Sequence, residues 1–138
     1  MTNRVGLWID HDKAVIVSIE EQGESVKKIE SGARHVEYRG AQRSKVAYSA
    51  QYSQGDDQLD RRFMLQLSKY YDQVAGLLRG ASSVLILGPG QARVELKRHL
   101  ERDKGLRLQI QVEPADKMTD RQIIARVRQY FEQPGKGS

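Results

Sequence analysis

Cysteine is absent from this chain, and with it go disulfides, thiolate zinc sites and cysteine nucleophiles. Only three histidines occur, His11, His35 and His99, too scattered to mark a metal site built from protein ligands alone. No apolar run approaches the roughly 20 residues that a membrane helix requires. The first residues, Met1-Thr2-Asn3-Arg4, lead straight into a predicted strand, without the basic, apolar and small-residue regions of a secretory signal. These absences predict a cytoplasmic protein with no membrane partner. Charge of one sign is also scarce: 23 Lys and Arg against 18 Asp and Glu give a formal net charge of +5, an excess that suits an anionic partner without requiring one.

A chain of 138 residues is sized for one domain with an ordinary core. Val5-Gly6-Leu7-Trp8-Ile9 and Ala14-Val15-Ile16-Val17-Ser18-Ile19 flank the acidic turn Asp10-His11-Asp12, as the strands of a hairpin do. A second turn at Glu21–Glu24 leads to a weaker strand, Ser25–Glu30, which completes an antiparallel meander. From 31 to 56 large apolar residues nearly vanish, and Arg, Gln, Ser, Gly and Tyr dominate. A loop of that length within a domain is usually functional or disordered.

Asp56-Asp57 are the expected caps of a long helix whose core positions are Leu59, Phe63, Leu67, Tyr70 or Tyr71, Val74 and Leu78, with Gly80 as its stop. Ser83–Leu87 reads as a buried central strand, followed by Gly88-Pro89-Gly90 and a helix over Gln91–Lys104 with Gly105 as its carboxyl cap. Leu106, Leu108, Ile110 and Val112 alternate with polar residues as one more strand. Thr119 and Gln122 form a capping box for a last helix with core positions Ile123, Ile124, Val127 and Phe131. The order β-β-β-loop-α-β-α-β-α predicts an α/β domain over 1–132, a mixed five-stranded sheet with helices on its faces, and a disordered tail over 133–138.

That order is the one used by ribonuclease-H-like domains. Three local features narrow the comparison: the opening hairpin with its acidic turn, the basic loop between third strand and long helix, and Val84-Leu85-Ile86-Leu87-Gly88-Pro89-Gly90 with the helix after it. Together they resemble the middle domain of the archaeal and eukaryotic class I peptide-chain release factors and Pelota, as a bacterial stand-alone relative would. The similarity runs from about Arg4 to Phe131. In that family the loop carries a Gly-Gly-Gln motif that positions a water against the ester of peptidyl-tRNA. Arg39-Gly40-Ala41-Gln42-Arg43 lines up with it except in the middle. The resemblance therefore implies Gly40 and Gln42 as the motif positions, with Gln42 positioning the water if catalysis is retained. Ala41 adds a Cβ that penalises positive φ and close backbone approach, so binding to the ribosome, its rRNA or tRNA is expected and hydrolysis is not. A release factor uses flanking domains for codon recognition and GTPase contact, and this chain length has no room for them.

The site chemistry follows the same division. Arg34, Arg39, Arg43 and Lys45, with Tyr38, Tyr48 and Tyr52 interleaved, offer guanidinium groups to phosphates and rings to bases, and are the expected RNA-binding residues. The competing reading is a solvated basic loop. Gly88 and Gly90 open a helix whose free N–H groups suit an anion, although a turn that merely packs helix on sheet needs the same glycines. No nucleotide-binding fingerprint is present, and no cofactor or metal is expected. Asp10 raises the alternative of a metal-dependent nuclease, which requires further carboxylates to converge on it, especially near the end of the fourth strand; Gly88-Pro89-Gly90 stands there, and Asp116 and Asp120 could approach only from the last loop. A non-catalytic structural or oligomeric domain is the third alternative. His99, among Arg93, Lys97, Arg98 and Arg102, reads as part of a basic solvated face, and His35 has no nucleophile beside it.

Overall fold

The continuous apolar runs of the central strands are satisfied by a sheet covered on both faces. The computed structural model describes residues 3–20, 23–33, 52–103 and 105–132. Its elements are β1 (Asn3–Ile9), β2 (Lys13–Glu20), β3 (Gly23–Glu30), α1 (Tyr52–Leu77), β4 (Ala81–Gly88), α2 (Ala92–Arg102), β5 (Gln109–Pro114) and α3 (Asp120–Glu132). The strands form one mixed sheet in the order β3-β2-β1-β4-β5. β1–β2 and β2–β3 are antiparallel, whereas β1–β4 and β4–β5 are parallel. The mixed five-stranded α/β architecture expected from the element order is the one observed.

Period-two alternation divides the strand residues between two cores. Val5, Leu7, Ile9, Ala14, Ile16, Val84 and Ile86 pack with Leu67, Tyr70, Val74 and Leu78 of the α1 segment and Leu96 and Leu100 of α2. Trp8, Val15, Val17, Leu85 and Leu87 face the other way, onto Ile123, Val127 and Phe131 of α3. The last helix starts as its sequence requires: Thr119 N–H donates to Gln122 Oε1 at 2.9 Å, and Gln122 N–H donates to Thr119 Oγ1 at 3.2 Å. Gly80, at φ +87°, follows the end of α1 as its expected stop.

Three boundaries differ from expectation. α1 begins at Tyr52, so Asp56 and Asp57 lie within the helix and are not its caps; the Leu59 side chain lies outside the described residues. α2 ends at Arg102 and is capped by Asp103, whose N–H bonds Leu100 O. Gly105 is not at positive φ and instead donates its N–H to Asp103 Oδ1 at 3.0 Å. β5 begins at Gln109, yet Leu106 and Leu108 still pack beside Ile110 and Val112 against the α1–α2 core. Alternation reported their burial correctly and their pairing too early.

The expected loop over 31–56 is ordered at both of its ends. Ser31 and Ala33 are buried, and residues from Tyr52 onward are helical.

Candidate functional site

β1 and β4 run parallel and finish side by side at Ile9 and Gly88. Gly88 is required there by space: a Cβ on it would lie 2.1 Å from the Ile9 carbonyl oxygen. Its own carbonyl accepts the Ala115 N–H at 3.0 Å. Gly90 takes φ +62°, turning the chain into α2. Arg93 then folds its guanidinium back onto the carbonyls of Gly88, at 3.3 Å, and Gly90. Both glycines thus lie in a turn that lets α2 pack against the sheet.

Beside this turn, Asp10 organises the β1–β2 connection. Its Oδ1 accepts the N–H groups of Asp12 and Lys13, each at 2.8 Å, an Asx turn made by the side chain. A cleft of about 400 Å³ lies between the two turns, lined by Asp10, His11, Asp12, Phe63, Gly90 and Gln91 among others. Asp10 and Asp12 share this cleft with Gly90 and Gln91, so its lining carries acidic residues.

The same end of the sheet holds the start of the basic segment. Ser31 N–H donates to Asp12 O at 2.8 Å, and its hydroxyl donates to His11 O and accepts the Ala33 N–H. Gln66 of α1 donates its Nε2 to Ser31 O at 2.7 Å. Tyr70 O–H reaches Asp10 O at 3.1 Å. His11 Nε2 pairs with Glu95 Oε1 at 3.0 Å, and Tyr71 O–H donates to that same oxygen at 2.7 Å. Burial, reinforced by Asp10, pushes the Tyr70 phenol well up from its usual range. Burial, and then the bond to Glu95, does the same for Tyr71. Both remain protonated donors at neutral pH.

Phe63 of α1 meets the His11 ring edge-on, with centroids 6.1 Å apart, so α1 is level with the β1–β2 turn at that residue. At 1.5 Å per residue the stretch from Tyr52 to Phe63 carries the helix about 16 Å past it. The chain therefore departs at Ala33 and returns at Tyr52 on one end of the sheet. The expected RNA-binding residues Arg34, Arg39, Arg43 and Lys45, and the motif positions Gly40 and Gln42, fall between them and lie outside the described residues. His35 does also.

The candidates for a nuclease centre separate. Asp10 is occupied by turn amides, Asp120 pairs with Lys28 at 2.7 Å beside β3, and the backbone of Asp116 accepts Trp8 Nε1 at 3.0 Å on the α3 face. Among the described residues, no group of three or more His, Asp or Glu could hold a metal ion. His99 departs from its expected solvated setting: it bonds Asp72 at 2.7 Å and packs beside Tyr71, 5.9 Å between ring centroids, so it joins α2 to α1. Sequence reading missed the His11–Glu95–Tyr71 linkage and the anchoring role of Ser31. Glu95 and His99 are four residues apart on the margin of the Ala92–Leu96–Leu100 stripe, which was the available signal for a polar helix–helix contact.

The fold is a mixed α/β domain that also occurs within two solved proteins. It superposes on the Pelota protein of Thermoplasma acidophilum with a TM-score of 0.56 and 22% sequence identity, covering 96% of this chain and 33% of that one. It superposes likewise on the archaeal translation termination factor aRF1, with a TM-score of 0.52 and 14% identity, covering 98% of this chain and 36% of that one. The chain thus spans about a third of the length of each. No family description matches the sequence, and no curated protein is similar to it at the sequence level.

Proposed function

We propose that this protein acts in translation as a release-factor-like domain that binds the ribosome or tRNA through its basic segment. The observation that carries the reading is the likeness to Pelota and the archaeal termination factor over nearly the whole chain, with Arg39-Gly40-Ala41-Gln42-Arg43 falling between β3 and α1. The resembling family keeps its Gly-Gly-Gln loop at that point. Arg34, Arg39, Arg43 and Lys45 supply the cations that pair with phosphates. Gly40 and Gln42 occupy the motif positions, while Ala41 removes the backbone freedom that hydrolysis needs, so the domain binds without cleaving peptidyl-tRNA. A cytoplasmic location follows from that role.

The test is ribosome co-sedimentation of the intact protein beside a variant with Arg39, Arg43 and Lys45 changed to Ala. The intact protein pellets with ribosomes, and raising salt releases it. Loss of three phosphate contacts lowers the slope of log affinity against log salt by about 2 to 3. Equal pelleting and equal salt dependence of the two proteins would reject the assignment.

A further inference from the structure

Two turns of α1 and two turns of α2 leave a groove of about 440 Å³ between them. Its floor is apolar, made by Leu67 and Tyr71, both buried. Met64 lines it while 60% exposed. Single exposed apolar residues are ordinary, but one that lines a concave site continues its apolar floor to the surface.

The charges divide in an informative way. Glu95 is taken up by His11 and Tyr71, and Asp72 by His99, so the carboxylates here are satisfied within the protein. Elsewhere, Arg79, Arg126 and Arg128 pair with carboxylates. Arg98 and Arg102, which line the groove on its α2 side, are exposed and have no acidic partner among the described residues. They stand one helical turn apart, about 6 Å along the axis.

We infer that the α1–α2 groove is a docking site for an acidic amphipathic helix of a partner protein, with apolar side chains seated on Met64, Leu67 and Tyr71 and carboxylates on Arg98 and Arg102. A helix lying in a groove presents side chains at i, i+3, i+4 and i+7, which matches both the length of the floor and the spacing of the two arginines. Nucleic acid fits less well. The Tyr71 ring is only 5% exposed, leaving no platform on which a base stacks. This inference does not rest on the RNA reading.

The probe is a short fluorescein-labelled helical peptide with Leu at i, i+3 and i+7 and Glu at flanking positions one turn apart, titrated against the full chain. Anisotropy reads the affinity, and amide shifts read the location. The expected result is saturable binding with shifts concentrated over 64–71 and 95–102. Arg98→Glu with Arg102→Glu, and separately Met64→Asp, weaken it at least about tenfold, while Arg121→Glu leaves it unchanged. Thermal unfolding is measured for each variant, and Arg98→Gln with Arg102→Gln replaces any that loses tertiary structure. No binding at about 1 mM peptide, which is weaker than about −4 kcal/mol, overturns the inference. Shifts confined to other residues overturn it equally. So does a single-stranded RNA that occupies the same residues more tightly, or self-association of the chain that buries them.

Discussion

The two faces of the sheet solve the burial problem differently. On the α3 face the buried residues Trp8, Val15, Val17, Leu85, Leu87, Ile123, Val127 and Phe131 include no ionisable group, and charged contacts are kept to the margins, where Arg126 meets Glu113 and Arg128 meets Glu24. On the α1–α2 face the core includes Tyr70 and Tyr71, whose hydroxyls reach Asp10 O and Glu95. No buried side-chain nitrogen or oxygen among the described residues is left without a partner, so this polarity is matched and avoids the penalty of an unmade bond. The difference teaches a division of labour. Apolar packing on one side holds the sheet, while directed hydrogen bonds on the other hold the turn from which the basic segment departs.

The largest expected effect is at the seam that both faces share. Gly88→Ala sets a Cβ 2.1 Å from the Ile9 carbonyl oxygen, at φ +154°, and the obstacle is backbone in the centre of the sheet. Relief requires β1 and β4 to separate, so urea unfolding should show a loss of about 3 kcal/mol or more. A loss below about 1 kcal/mol would mean that the strand ends are not held as described. The next effect belongs to the α3 face alone. In Gly6→Ala the new Cβ would lie 2.3 Å from Val127 Cγ2, an overpacking that costs about 1–3 kcal/mol. Because the obstacle is a side chain, Val127→Ala in the same molecule should restore part of the loss, and a double-mutant cycle measures the coupling. Strict additivity of the two changes would break the picture of a close-packed apolar face.

The same contrast explains what was legible in the sequence. Unbroken apolar runs marked β1, β2 and β4 as strands, and parity then fixes which face each residue takes. Turn glycines and the Thr119–Gln122 pair marked where α1 stops and α3 starts. Tyr52 as the first residue of α1 was hidden, because the sequence before Asp56 is polar and carries no apolar period to mark a helix. The His11–Glu95 bond joins residues 84 positions apart, and no local pattern encodes such a partner. Ser31 resembled any loop serine until its hydroxyl was found between His11 O and the Ala33 N–H. Elements with a periodic apolar face could be read in advance, whereas the polar pins that orient the candidate site depend on tertiary proximity.

The smallest effect distinguishes the faces by titration. Folding raises the Tyr70 and Tyr71 phenols above their ordinary value of about 10. Above that pH the unfolded chain has released protons that the folded chain still holds, so the contribution of the pair is complete below about pH 10 and is lost as pH rises further. Stability from urea unfolding should therefore fall with pH on the alkaline side, and Tyr70→Phe should flatten that slope by close to one proton. Tyr71→Phe should flatten it similarly, because burial and the bond to Glu95 hold that phenol protonated in the folded chain as well. The fully buried residues of the α3 core include no phenol, so the double Phe variant tests the polar face. An alkaline slope that the double variant leaves unchanged would show that the two hydroxyls do not hold the β1–β2 turn through buried, protonated bonds.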